Sequence, residues 1–261
     1  MKLRQLLPTS ASCLAASLAV LAFTLPAHAD NFVWATWNTD TPGASAAAGG
    51  TASATMPGFT ITYTGQLSSL NNGPSWVPAA STPDTWIGGV VGNGPPTGAT
   101  SVMMEGGSPA NGHPDSGLET ITFSGPVANP VLAIWSLGEP NQETSFDFNS
   151  SEPFTIAGGG GSAEYGGSGL VINSAGTGVT GNEGNGLIEL IGVYSSITFT
   201  TPDYEYYYNF TIGEDQTLTS QLPPTTGTTG TPTVPEPATL SLFGMGLAAL
   251  PFARRAISRK R

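Results

Sequence analysis

Nucleophiles, general bases, metal ligands and cations are the residues that do chemistry, and this chain of 261 residues supplies few of them. Its one cysteine is Cys13 and its two histidines are His28 and His113. All seven basic residues sit at the ends: Lys2, Arg4, Arg254, Arg255, Arg259, Lys260 and Arg261. The eighteen acids all fall between Asp30 and Glu236, and the formal net charge is −11. A region without Lys or Arg cannot neutralise phosphates, which excludes nucleic-acid binding. It offers no lysine for a Schiff base or a P-loop and no arginine clamp for phosphoryl transfer. His113 lies in Gly112-His113-Pro114-Asp115-Ser116. A Ser-His-Asp triad, however, is assembled by the fold from separate segments, not side by side in a loop. No serine stands in a G-x-S-x-G elbow. The expectation is therefore a protein with no catalytic residues and not an enzyme.

Three further chemistries have candidate residues. Calcium accepts carboxylates, amide oxygens and backbone carbonyls from loops. Glu139, Asn141 and Glu143 form one such loop, and Asn182, Glu183 and Asn185 another. Neither has the ligand spacing of an EF-hand, and both are also ordinary turn sequences. No other cofactor is expected. Sugars stack on aromatic faces, and Trp34, Trp37, Trp76, Trp86, Trp135 and Tyr207 could supply them. Trp76, Trp86 and Tyr207 are the favoured residues, Tyr207 because it faces away from Tyr206, Tyr208 and Phe210 on the same strand. Paired carboxylates could hydrolyse a glycosidic bond, with Glu119, Glu139, Glu143, Asp147 and Glu189 as the pool. Asn149-Ser150-Ser151 and Asn209-Phe210-Thr211 fit glycan acceptor triplets.

The elements that must position these residues read as strands. With 35 Gly and 22 Pro the composition approaches low complexity. Five Trp, seven Tyr and eleven Phe nevertheless provide core material that disordered chains lack. Residues of one face, apolar apart from Glu119, recur with period two in Phe59-Ile61-Tyr63, Glu119-Ile121-Phe123, Phe146-Phe148, Ile197-Phe199 and Tyr206-Tyr208-Phe210-Ile212. Each predicts a half-buried strand. Val131 to Leu137 is apolar on both faces and predicts a central strand. No segment of the body has a helical period of ten residues. The fold class expected is all-β: an antiparallel β-sandwich, jelly-roll-like, with long Gly/Pro-rich loops at 38–55, 92–117 and 157–169. A barrel or solenoid is the alternative, although no fixed repeat is present.

The two ends are of a different kind. Lys2 and Arg4, an apolar run to Leu25 and the small-x-small site Ala27-His28-Ala29 predict a signal peptide over 1–29. The sandwich would occupy 30–220 and a Thr/Gly/Pro linker 221–233. Residues 234–261 then open with Val234-Pro235-Glu236-Pro237, run through the apolar stretch Ala238 to Ala253, and end in Arg254, Arg255, Arg259, Lys260 and Arg261. As a helix that stretch spans about 24 Å at about 1.5 Å per residue. A bilayer core is about 30 Å thick, so this is a marginal single transmembrane helix. Its basic tail would stay on the cytoplasmic side.

In motif, apolar segment, basic tail and their order, the last 28 residues resemble the PEP-CTERM sorting signal. Prolines on both sides of Glu236 would keep the recognised stretch extended. The resemblance implies an exosortase substrate, exported by signal peptidase and the secretion machinery. Such a chain is held transiently in the inner membrane of a Gram-negative bacterium, then passed to the cell surface or the exopolysaccharide matrix. Thr122 to Pro130 leading into Val131–Leu137 also resembles the ectodomains that accompany this signal, a likeness that brings no activity. The role expected is structural or adhesive within an extracellular polysaccharide layer. The alternatives are a carbohydrate-binding module, with or without calcium dependence, and thirdly a secreted glycoside hydrolase. The charge pattern makes a direct prediction. Denatured mature protein digested with trypsin should yield no internal cleavage between Asp30 and Ala253, as read by mass spectrometry; internal tryptic peptides would refute the reading.

Overall fold

The computed structural model describes residues 32–43, 49–77, 79–82, 85–105, 117–140, 142–148, 152–205 and 207–222. The signal-peptide residues Ala27 and Ala29, the sorting motif, the apolar segment 238–253 and the basic tail lie outside them, as do His113 and Asn141. Among the described residues fifteen strands run in chain order, β1 Phe32–Trp34, β2 Thr36–Thr41, β3 Gly50–Met56, β4 Phe59–Gly65, β5 Ser69–Asn71, β6 Ser101–Met104, β7 Glu119–Ala128 and β8 Val131–Leu137 coming first. They are followed by β9 Thr144–Phe148, β10 Phe154–Gly161, β11 Val171–Ile172, β12 Gly178–Gly181, β13 Gly184–Leu190, β14 Val193–Thr200 and β15 Tyr208–Asp215. One short helix, α1 Gln216–Ser220, follows, capped by Asp215, whose Oδ1 accepts from the Thr217 amide at 2.8 Å.

These strands make two antiparallel sheets. One has the order β10-β13-β8-β15-β6-β5, with β1 also paired to β15; the other has the order β11-β12-β9-β14-β7-β4-β3-β2. From β7 to β15 the chain changes sheet at every step apart from the β11–β12 hairpin. All-β architecture with two packed antiparallel sheets is thus the observed class. The core between the sheets centres on Phe210 of β15, which meets Tyr63 of β4, Phe199 of β14 and Trp37 of β2 at ring distances of 5.4, 5.9 and 6.1 Å. Phe146 of β9 stacks on Phe199 at 4.9 Å. A second apolar cluster covers the outer face of the first sheet. There Trp76, Trp86 and Val91, from the segment between β5 and β6, pack on Val131, Ala133, Trp135 and Leu187. This second layer explains why β8 is apolar on both sides: every residue of it is buried.

The structure corrects four expectations. β15 is buried at all eight positions and is not half-exposed; it lies between β8 and β6 under the outer layer. Asn209 Oδ1 accepts from Ser101 Oγ at 3.2 Å and Thr211 Oγ1 from Trp37 Nε1 at 3.2 Å, whereas Asn209 Nδ2 and Glu214 Oε2 have no hydrogen-bond partner among the described residues. Residues 38–55 are largely β2 and β3, not a loop. β3 alternates Ala52, Ala54 and Met56 inward with Thr51, Ser53 and Thr55 outward, a period of two written in residues too small to stand out. Residues 92–117 contain β6. Residues 157–169 begin as β10, whose glycines are a packing requirement. A Cβ at Gly158 would lie 3.0 Å from Ile87 O, one at Gly160 2.6 Å from Thr82 Cβ, and one at Gly161 3.0 Å from Gly167 O. The strand is glycine-rich because neighbouring loops lie directly against it.

Two substitutions test this packing by chemical denaturation. Phe210→Ala should cost about 3–5 kcal/mol. Gly160→Val should cost about 1–3 kcal/mol by forcing Thr82 and Thr85 aside. A loss below about 1 kcal/mol at either position would contradict the packing described.

Candidate functional site

Loops gather at the end of the sandwich where β8, β10, β12 and β14 finish and β15 begins. Here the backbone is held in unusual conformations. Ser136 and Glu183 are at φ 59° and 52°, two of the three described non-glycine residues with positive φ; Gly138, Gly166 and Gly167 are at 83°, 79° and 77°. Such conformations cost roughly 1–3 kcal/mol each for a non-glycine residue and persist only where the surroundings fix them. The surroundings do so here. The Glu183 amide donates to Gly138 O at 2.8 Å. A Cβ at Gly138 would lie 2.1 Å from Gly181 O, and one at Gly167 2.4 Å from Asn182 O. Ser162 Oγ accepts from the amides of Glu164 and Tyr165 at 3.1 and 3.0 Å, a local turn that presents the Tyr165 ring.

Between these loops lies a cleft of about 510 Å³, lined by Ser136, Glu139, Pro140, Tyr165, Glu183, Glu205 and Tyr207. Trp135, buried beneath it, meets Tyr165 at 5.6 Å and Tyr207 at 5.9 Å, both edge-on. Tyr207 is fixed further by Asn71 Nδ2, which donates to its hydroxyl at 2.9 Å. Glu205 is 2% exposed, and its Oε2 accepts from the Gly138 amide at 2.7 Å. Burial pushes the Glu205 carboxyl up to about 8, and repulsion from Glu183 and Glu139 adds to the effect against the Gly138 hydrogen bond. Glu183 is raised too, first by burial and then by Glu139, although Ser136 Oγ donates to its Oε2 at 2.5 Å. At neutral pH the cleft therefore combines a protonated carboxyl with carboxylate acceptors.

The structure brings Glu139 and Glu183, one from each of the two acidic loops named from sequence, to one cleft. Glu183 takes the Ser136 hydroxyl, and Asn185 Oδ1 takes the Ser136 amide at 2.7 Å. One oxygen of each side chain is thus occupied by a donor of the protein itself. Glu139 lies on the cleft, Glu143 is exposed away from its lining and Asn182 is half-buried. Among the described residues no group of three or more His, Cys, Asp or Glu is spaced to hold a metal. Of the carboxylates weighed for glycoside hydrolysis, only Glu139 reaches the cleft. Glu119 is fully buried under Tyr63 and Gln66, whose hydroxyl and amide lie 2.5 and 2.7 Å from its Oε2. Glu189 is buried beside Asn129, and Asp147 is held by Asn173 and Ser145.

The aromatic expectation divides. Trp76 and Trp86 are 4% and 2% exposed and pack edge-on against each other at 5.1 Å, so neither presents a face to a ligand. Their role is to cover the outer side of β8 and β13. Tyr207 does lie on the cleft. Asn209 is fully buried, which removes its acceptor triplet from reach in the folded chain; Asn149 lies outside the described residues. Sequence reasoning missed Glu205, Ser136 and Tyr165. The available signal for Glu205 was an acid within the aromatic run Tyr204 to Tyr208, immediately before a fully buried strand.

A second groove, about 670 Å³, lies at the opposite end of the strands beside α1, lined among others by Pro57, Phe59, Pro126 and Leu222. The described residues end there, at Leu222.

Comparison with known proteins gives one match. Residues 233–260 fit the family model described as the PEP-CTERM protein-sorting motif. No curated protein and no solved structure matches the chain. The chain is thus an exported protein that bears a PEP-CTERM sorting signal.

The buried acids give this domain a particular response to pH. Glu205 binds its proton more tightly folded than unfolded, so its contribution to stability is complete below about pH 4 and is lost as pH rises through about 8. The full loss is on the order of 4–5 kcal/mol. Glu189, Glu214 and Asp147 are also raised, mainly by burial, and act in the same sense. Scanning calorimetry should find a melting temperature that falls between pH 5 and pH 9, with much of the slope removed in Glu205→Gln. A melting temperature that rises over that range would refute the assignment.

Proposed function

We propose that this protein is a structural or adhesive component of the cell surface or of an extracellular polysaccharide matrix. The observation that carries this reading is the sorting motif at residues 233–260, following a body in which no Lys or Arg occurs from Asp30 to Ala253. Under the proposal, signal peptidase cleaves after Ala29. The body, a jelly-roll-like sandwich, is then held outside a Gram-negative inner membrane by one helix over 238–253. Arg254, Arg255, Arg259, Lys260 and Arg261 anchor that helix on the cytoplasmic side. An exosortase-type membrane enzyme engages Val234-Pro235-Glu236-Pro237 and releases the body without its basic tail.

The charge pattern supports this sequence of events physically. Positive residues resist translocation and fix the cytoplasmic end of a membrane segment. The translocated body has none, and its marginal helix is suited to a temporary anchor. The strong negative charge keeps the released domain soluble and repels anionic polymers.

Cell fractionation with intact-mass measurement tests the proposal. The expected product begins at Asp30, lacks Arg261 and is found at the surface, in the matrix or in the medium. A full-length chain dissolved in the cytosol would overturn it.

A further inference from the structure

Export and sorting use the two ends of the chain and leave the cleft at the loop end without a role. Its two walls are tyrosines. Tyr165 is 54% exposed on a turn held by Ser162, and both it and Tyr207 meet the Trp135 ring edge-on. Rings held in place before a ligand arrives lose little entropy on binding. The polar groups between them are Glu139 and Glu183, which accept hydrogen bonds, and Glu205, which can donate one.

Two buried N–H donors, Asn185 Nδ2 and Trp135 Nε1, lie behind the wall without a partner among the described residues, and neither residue lines the cleft. Within the cleft an anion is repelled by Glu139 and Glu183, and no Lys or Arg occurs anywhere in the body to receive it. An ammonium group donates hydrogen bonds but accepts none. A hydroxyl group does both, donating to the carboxyl oxygens of Glu139 and Glu183 and accepting from Glu205. A ring bearing hydroxyls also offers a C–H face to tyrosine. The strained backbone at Ser136 and Glu183 is concentrated at this same place.

We infer that the cleft bounded by Tyr165, Tyr207, Glu139, Glu183, Glu205 and Ser136 is a binding site for an uncharged, hydroxyl-rich sugar ring of a glycan. The two tyrosines form the stacking walls, and the carboxylates orient the hydroxyls. The site gives the domain a ligand of its own, independent of how the chain is sorted.

Affinity electrophoresis of the released protein tests the inference. The gels contain dextran, galactomannan, xylan or soluble β-glucan as uncharged probes, alginate as an anionic probe and chitosan as a cationic one. At least one uncharged polysaccharide should retard the protein, and alginate should not. Tyr165→Ala should weaken the retardation about tenfold or more, with the melting temperature held within a degree or two, because Tyr165 is exposed. Glu139→Gln, also at an exposed position, should weaken it by a smaller factor. Three results would overturn the inference: no retardation by any uncharged probe, retardation unchanged in Tyr165→Ala, or retention by chitosan alone, which would assign the cleft to a cation. The assay uses purified protein, so its outcome is separate from where the cell sends the chain.

Discussion

A folded body that buries acids but owns no Lys or Arg must satisfy each carboxyl by other means. That constraint shapes this structure. Glu119 is satisfied by the Tyr63 hydroxyl and the Gln66 amide, Glu189 by the Asn129 amide group, Glu183 by the Ser136 hydroxyl and Glu205 by the Gly138 amide. Gly65 makes the first of these arrangements feasible, since a Cβ there would lie 1.6 Å from Glu119 Oε2. Where the donors do not suffice, the carboxyl retains its proton, and Glu205 is the clearest case. Between Asp30 and Ala253 there is no Lys or Arg with which a buried acid could form an ion pair. The cations absent from this body lie at the two ends of the chain, five of them within or next to the sorting motif at residues 233–260.

Much of the fold was legible because its strands obey a simple period. Ile61 and Tyr63, Ile121 and Phe123, and Ile197 and Phe199 alternate with threonine or serine, and all six are buried. Val131–Leu137 read as central and is central, between β13 and β15. The strands that escaped notice carry the same period in a quieter form. In β3 the inward residues are mostly alanine, and in β10 they give way to glycine because loops press on the strand. Burial by a third layer was also hidden. Nothing local in Asn209 or Thr211 announces that the segment between β5 and β6 encloses the outer side of the first sheet.

The site was less legible than the fold, for a physical reason. It is built from four loops that are distant in sequence and adjacent only because alternate strands end together. Glu139, Glu183 and Tyr207 stood out by residue type, whereas Glu205, Ser136 and Tyr165 gain their meaning from the packing around them. Trp76 and Trp86 misled because tryptophan marks both sugar platforms and cores, and only the fold distinguishes the two. The sorting signal is the opposite case. It functions as a linear sequence, so residues 233–260 can be read without any fold at all.

The same proton that stabilises Glu205 prepares the cleft, because a protonated carboxyl beside two acceptors gives the pocket both hydrogen-bonding polarities. That coupling makes the ionisation state of Glu205 the centre of the account. Carboxyl-carbon NMR of isotopically labelled protein measures it directly. The account predicts one glutamate side chain that remains protonated at neutral pH, titrates near 8 and disappears from the spectrum in Glu205→Gln. Titration of every glutamate in the ordinary carboxylate range would contradict it.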